Sequence, residues 1–482
     1  MKIKRLALVA LVLSTFAVSA CGSSSNSNVV TFWISGGNAV TDLFKGENGL
    51  IKKFKEKFKD QLPSDFDINI VPYGNYDSLY DAVSKAIPAG TTPTMAVAYP
   101  DNAASYVRSN SLIDINTFLN DPDTAFTAEE GGGSEDFVKA FWDEGKNISN
   151  KDGLYTVPLY KSTEVMIFNR SYFAEHNLQI PTTWDELMSV AQQIYDDNPE
   201  KWSAEDCSPV IWDSDSNLFI THAYQNDIPY TDPSNQDNPF VFNNEANRSF
   251  VKELKEYHDK GLIETKGSLG GTTYSSSYLT AEKCIIAIGS TGGSSYNITS
   301  NFQVGIAPEP VFNKENPKYI QQGPDVCFFR RSSSSSTHWA WEFYKFLTST
   351  GTNLDLTTNL SYSPVRYSCY ENDAYKEYVG EFADYVDHPL EKDDKGNLKY
   401  QNENNMGLVQ MAAYQTQKIV QNDQLFYSPA FPGSAEARGD QSSGVGNVIA
   451  GTLSYKGKDI DAQIEKLMST AVSAALQAYT DK

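Results

Sequence analysis

Three short apolar runs, VVTFWI at 29–34, INIVPY at 68–73 and MAVAY at 95–99, decide the fold. Each is rich in β-branched and aromatic residues and bounded by turn formers, so each reads as a buried strand. Between the first two, Leu50, Ile51, Phe54 and Phe58 recur at helical spacing through a Lys/Glu-rich stretch and predict an amphipathic helix. Between the second and third, Leu79, Val83 and Ala86 mark another helix, followed by the turn Thr91-Thr92-Pro93. The pattern is βαβαβ, which implies right-handed crossovers and a parallel sheet covered on both faces.

Ligands of such a sheet bind at the carboxyl ends of its strands. Ser35-Gly36-Gly37, Tyr73-Gly74-Asn75-Tyr76 and Tyr99-Pro100-Asp101 fall there. Tyrosine faces cover C–H surface while hydroxyls and a carboxylate take OH groups, so these loops suit a polyhydroxylated ligand. Trp33 and Trp212 are candidate stacking platforms, with burial in the core as the equal alternative.

Upstream of the first strand, Lys2, Lys4 and Arg5 precede the short apolar stretch 6–17 and the small residues Val18-Ser19-Ala20. This is the pattern of an export signal over residues 1–20, too short for a spanning helix of about 20 apolar residues. The polar stretch from Gly22 to Asn28 has the composition of a flexible tether. Of 482 residues, 39 are basic and 61 acidic, a net charge of −22 that repels a phosphate backbone and argues against nucleic acid as a partner. Four cysteines besides Cys21, at 207, 284, 327 and 369, leave free thiols and one or two disulfides both open. No CxxC or HExxH occurs, and the five histidines are scattered, so neither a metal nor a cofactor is expected.

A middle block opens at Gly153 with two extended pieces around Lys161-Ser162-Thr163-Glu164, the second being Val165 to Phe168, and a hinge is expected there. Thr183 and Glu186 stand in capping-box spacing at the head of a helix whose inner face is Leu187, Val190, Ala191 and Ile194. Cys284 to Ile288 reads as a buried strand ending in the small-residue loop 289–295, able to turn backbone N–H groups toward a ligand. Ser332 to Ser336 reads as a loop and N-cap for a helix with Ala340, Phe343 and Leu347 on its inner face. Residues 371–405 read as an exposed excursion, and Ile460, Ile464, Leu467, Met468, Val472 and Leu476 as the stripe of a C-terminal helix.

Taken together, Gly153-Leu-Tyr-Thr-Val-Pro, Ser162 to Asn169, Pro181-Thr-Thr-Trp-Asp-Glu, the strand and loop from Cys284 to Gly293, the helix from Trp341 and Tyr362-Ser-Pro-Val resemble the extracellular solute-binding proteins of ABC importers. The likeness is to the group that includes the maltose-binding and glycerol-3-phosphate-binding proteins. It implies two α/β lobes, 29–160 with 306–358 and 161–305 with 359–482, hinged about an interlobe ligand cleft. Val18-Ser19-Ala20-Cys21-Gly22 similarly resembles a bacterial lipobox, which makes Cys21 the lipidation site and the chain a lipid-anchored extracytoplasmic protein. Carried over from the glycerol-phosphate binders, the ligand residues would be Tyr76, Asp101, Ser162, Ser290 or Thr291, Gly323, Tyr362 and Arg438. Asp101 would stand where those proteins have a longer glutamate. The resemblance implies a monomer without catalytic residues that delivers a sugar, polyol or glycerol phosphate ester to permease subunits. An exported glycoside hydrolase, needing two carboxylates about 5–10 Å apart, and a ligand-presenting surface sensor or adhesin are the alternatives.

Overall fold

The computed structural model describes residues 27–128, 131–146, 148, 152–330, 333–439 and 443–480. Cys21, the signal and most of the tether lie outside the described residues. Among the described residues the strands are β1 Val29–Ser35, β2 Asp67–Tyr73, β3 Met95–Ala98, β4 Val157–Pro158, β5 Ser162–Asn169, β6 Val210–Trp212, β7 Ile263–Thr265, β8 Ile286–Ser290, β9 Val304–Pro308, β10 Tyr319–Gln322, β11 Asp325–Phe328 and β12 Leu425–Phe426.

β1 lies between β2 and β3, parallel to both, as the βαβαβ pattern requires. Val30, Phe32 and Ile34 alternate along it at 0–1% exposure, the period of a strand buried most deeply on one face. The helix Tyr76–Ala89 is capped by Asn75, whose Oδ1 accepts from Ser78 N at 2.8 Å, and buries the expected Leu79, Val83 and Ala86. Behind the sheet the helix Ser334–Leu347 starts at Ser333, which accepts from Ser336 N, and buries Ala340, Phe343 and Leu347. The sheet is not wholly parallel. β11 and β4 join its far edge antiparallel, giving the order β2-β1-β3-β11-β4.

The second sheet is built on β5, all eight of whose residues are buried. β8 flanks it on one side and β9 and β10 on the other, with order β12-β10-β5-β8-β6-β7. The two extended pieces expected around 161–168 are therefore β4 and one continuous strand, separated by Leu159-Tyr160-Lys161. The lobe boundaries need correction as well. β9 and β10 pair with β5, so the chain re-enters the first lobe only at β11 and not at 306. It then stays there beyond 358, because Val365, Tyr370, Tyr375 and Val379 belong to the first core. Residues 371–405 are thus not one exposed excursion; the helix Asp373–Gly380 packs Tyr375 and Val379 inward, and only the stretch after it is widely exposed. The cysteines at 207, 284, 327 and 369 are free thiols, the last three buried.

Candidate functional site

The three loops at the carboxyl ends of β1, β2 and β3 converge. Gly36 sits at φ +129° and its N–H donates to Tyr73 O at 2.8 Å, which ties the first loop to the second. A side chain there would be strained and would meet Val40 at 2.6 Å. Tyr76 meets the Tyr99 ring edge-on with centroids 4.9 Å apart, and its hydroxyl is 3.5 Å from that of Tyr362. Tyr160, in the segment joining β4 to β5, packs on Tyr362 at 4.6 Å. Four tyrosines, three of the first lobe and one at the junction, therefore form one cluster. Burial pushes all four phenols above their ordinary value, and neighbouring phenols add to it at Tyr76, Tyr99 and Tyr160. Each stays neutral at physiological pH and offers both a donor and an acceptor.

On the second lobe, Ser290 Oγ donates to Ser162 Oγ at 3.1 Å and accepts from Gly292 N at 3.1 Å. Thr291 Oγ1 accepts from Thr163 N at 3.2 Å. These bonds hold the turn Thr291–Asn297 against the start of β5. Gly292 lets Tyr362 lie on that turn, since a Cβ there would be 3.0 Å from the ring. Tyr296 on the same turn is 76% exposed. Gly323 closes the junction from the other side at φ +99°, where a Cβ would stand 2.8 Å from Tyr160 O and 3.0 Å from Lys161 Cα.

Two sets of charges face this junction. The helix Ser434–Arg438 of the second lobe meets Asp101, in the first turn of the helix Pro100–Arg108 of the first. Ser434 Oγ donates to Asp101 Oδ1 at 2.6 Å, and Arg438 Nη1 lies 3.9 Å from Asp101 Oδ2. Arg438 Nη2 also donates to Asn217 Oδ1. Burial raises the Asp101 carboxyl above its usual range while Arg438 and Ser434 pull it back. At the junction itself Lys161, with no exposed side-chain surface, donates to Glu144 Oε2 at 2.6 Å and to Gly323 O at 3.2 Å, and its Nζ lies 2.7 Å from Asp325 Oδ1. Burial opposes its charge, but the two carboxylates outweigh it and hold its pKa above the ordinary value. Burial lifts Glu144 to about 7 against the pull of Lys161.

Of the residues expected in the site, Tyr76, Asp101, Ser162, Ser290, Thr291, Gly323, Tyr362 and Arg438 are brought together around this junction. Ser162 and Thr291 are themselves buried and act on the shape of the wall through their bonds. Ser35 and Gly36 lie at the first-lobe rim, and Trp33 is half-buried with its ring 5.2 Å from Tyr73. Trp212 is a correction: it is fully buried in the second core, 6.3 Å from the Trp184 ring, and is no stacking platform. Its place at the end of β6 does not decide which way a side chain points. Tyr160, Lys161, Asn217 and Ser434 escaped the sequence reading. Tyr160 and Lys161 stand directly before Ser162 and could have been found from that adjacency, whereas Asn217 inside a helix gave no signal. Two surface hollows, about 520 Å³ beside Trp184, His222 and Lys314 and about 430 Å³ beside Phe240 and Ser469, touch none of these residues.

The sequence profile of the bacterial extracellular solute-binding proteins matches residues 49–383, well over half of the chain. This chain belongs to that family. The binding protein is 22% identical over 333 residues to the sn-glycerol-3-phosphate-binding periplasmic protein of Brucella abortus, covering 67% of this chain and 73% of that one. It is 23% identical over 304 residues to the maltotriose-binding protein of Pyrococcus abyssi, covering 62% and 60%. Among solved structures, UgpB from Mycobacterium tuberculosis in complex with glycerophosphocholine superposes with a TM-score of 0.67 at 15% identity, over 93% of this chain and 98% of that one. The GacH receptor of Streptomyces glaucescens gives 0.64 at 14%, over 92% and 98%. The fold of the binding protein is that of these two-lobe proteins, and its family places its work outside the cytoplasm.

Proposed function

We propose that this binding protein captures a neutral polyhydroxylated solute, an oligosaccharide in preference to a glycerol phosphate ester, between its lobes and hands it to the membrane subunits of an ABC importer. The observation that carries the reading is that Arg438 is already compensated, with Asp101 3.9 Å from one guanidinium nitrogen and Asn217 accepting from another. A phosphate seated on Arg438 would lie beside Asp101, and two like charges about 4 Å apart cost about 1–4 kcal/mol in water-like to partly shielded surroundings. Hydroxyl groups meet no such penalty. Four neutral tyrosines, Ser290 and the Asp101 carboxylate offer the faces, donors and acceptors that sugar rings use.

The signal, the lipobox at Cys21 and the polar tether support a lipid-anchored form, held at the membrane surface while the folded body samples solute. Cys21→Ser should move the protein into the soluble fraction, and continued membrane attachment would remove the lipid-anchor reading. The test of the ligand class is a thermal-melt panel of the soluble body against maltose-series oligosaccharides, monosaccharides, polyols, glycerol-3-phosphate and glycerophosphocholine. A ligand at 100 times its Kd adds about 2.7 kcal/mol to stability. A shift with an oligosaccharide, and intact sugar recovered afterwards, is the expected result. A shift with the phosphate esters alone would reverse the assignment, and sugar cleavage would favour a hydrolase.

A further inference from the structure

Behind Arg438 lies a polar chain buried from solvent. Asn217 is fully buried in the helix Asp215–Gln225; its Oδ1 accepts from Arg438 Nη2, and its Nδ2 donates to Glu164 Oε1 at 3.0 Å. Glu164 is 1% exposed on β5. Arginine can only donate, so the asparagine must turn its oxygen toward Arg438, which leaves its amide nitrogen to donate to Glu164. Next to Glu164 stands Glu309, one residue past β9, where the register pairs Val165 with Pro308. Glu309 is 1% exposed and neither of its carboxyl oxygens has a hydrogen-bond partner among the described residues.

We propose that Asn217 and Glu164 are positioning residues that fix the Arg438 guanidinium at the cleft, Glu164 by orienting the Asn217 amide and Asn217 by accepting from Arg438. The inference rests on the reading that Arg438 belongs to the ligand site. An arginine on a five-residue helix has a long side chain with many rotamers, and freezing it in advance spares the ligand that entropy. Glu309 fits the same arrangement. Burial and the neighbouring Glu164 push its carboxyl well above the usual range, which favours the neutral form and leaves Glu164 without a like charge beside it. The neutral form also suits a carboxyl that is buried with no hydrogen-bond partner among the described residues.

The test begins without any ligand, on full-length mature protein labelled with 15N-arginine. Arg438 is assigned by the signal that disappears in Arg438→Lys. A held guanidinium rotates slowly and gives resolved Nη signals, which are expected in the native protein and in Glu164→Gln, because glutamine keeps an oxygen toward Asn217. In Asn217→Leu and Glu164→Leu those signals should collapse to a single averaged one. Resolved signals in Asn217→Leu would overturn the proposal. So would their loss in Glu164→Gln with an unchanged melting temperature. Should Asn217→Leu fail to fold, Asn217→Ser, too short to reach both partners, takes its place with the same expectation.

Maltotriose titration is the second arm. Losing a held, charge-assisted contact predicts roughly tenfold weaker binding in Asn217→Leu, with Glu164→Gln close to native. If the native protein binds no member of the melt panel, the functional reading falls, while the guanidinium signals still decide the positioning.

Discussion

His222 stacks face to face on Phe250 with centroids 3.7 Å apart and meets Phe312 edge-on at 5.1 Å. Its Nδ1 has no partner among the described residues, and burial pulls its pKa down to about 4. An unfolded histidine binds its proton near pH 6.5, so between about pH 6.5 and 4 the unfolded chain carries the extra proton. Stability therefore falls as the pH drops through that window, by up to about 3 kcal/mol from this residue. His222→Phe keeps the stack and removes the titration. Urea midpoints measured from pH 7 to pH 4 should fall less steeply in the variant than in the native protein. The many carboxylates contribute equally to both curves, and identical slopes would place the response elsewhere. Trp212 gives a second prediction of this scale. Trp212→Ala should lower stability by about 3–5 kcal/mol, the usual cost of emptying a core site, while leaving solute affinity of the folded fraction unchanged. A selective loss of affinity would return Trp212 to the cleft.

At the scale of elements, the segment between β4 and β5 is where the crossing between the lobes is pinned to the first lobe. Lys161 joins Glu144 and Asp325, Thr156 Oγ1 donates to the same Asp325 at 2.6 Å, and both backbone groups of Lys161 pair with Ser363 at 2.7 and 3.1 Å. Breaking a buried ion pair by removing one partner costs about 3–5 kcal/mol, because the partner charges stay buried without compensation. Lys161→Met should lose stability of that order in urea unfolding, and the triple change Lys161→Met, Glu144→Gln, Asp325→Asn should recover most of it. A native-like midpoint for the single variant would show that the three groups hold nothing. Nothing in the order of residues announced this pin, since an isolated lysine reads as surface. The elements themselves were more legible. β1 to β3 were legible as short apolar runs and their helices from a period of 3.6, because each signal is local. The partners of β9 and β10 did not follow, since an apolar run looks the same whichever sheet receives it. The candidate site was legible where a helix starts just after a strand, as at Tyr76 and Asp101. Asn217 and Glu164 were hidden because a buried polar side chain is defined by its partner, and here the partners lie 53 and 221 residues away.

At the scale of the whole molecule, the chain passes between the lobes three times among the described residues, near 159–161, at 323–324 and between Val379 and Val386, so neither lobe is a continuous piece of polypeptide. The cores are not separate either: Tyr319 and Leu425, in strands of the second sheet, lie in the same buried cluster as Val157 and Val326 of the first. Helix Ser434–Arg438 adds the contact to Asp101 across the cleft. Each sheet lies within its own lobe, but unfolding the first lobe alone would uncover Tyr319 and Leu425, which lowers the advantage of a half-folded state. The protein should therefore unfold in one cooperative step despite its length. Of its seven tryptophans, Trp33, Trp142, Trp339 and Trp341 report on the first core and Trp184, Trp202 and Trp212 on the second. Their summed fluorescence should change together with circular dichroism, and the calorimetric enthalpy should match the van't Hoff value. Two resolved transitions would mean that the crossings and the shared cluster couple the lobes too weakly, and solute would then raise the midpoint of one transition more than the other. With full coupling, a solute held between the lobes raises a single midpoint, because it binds only where both walls are folded.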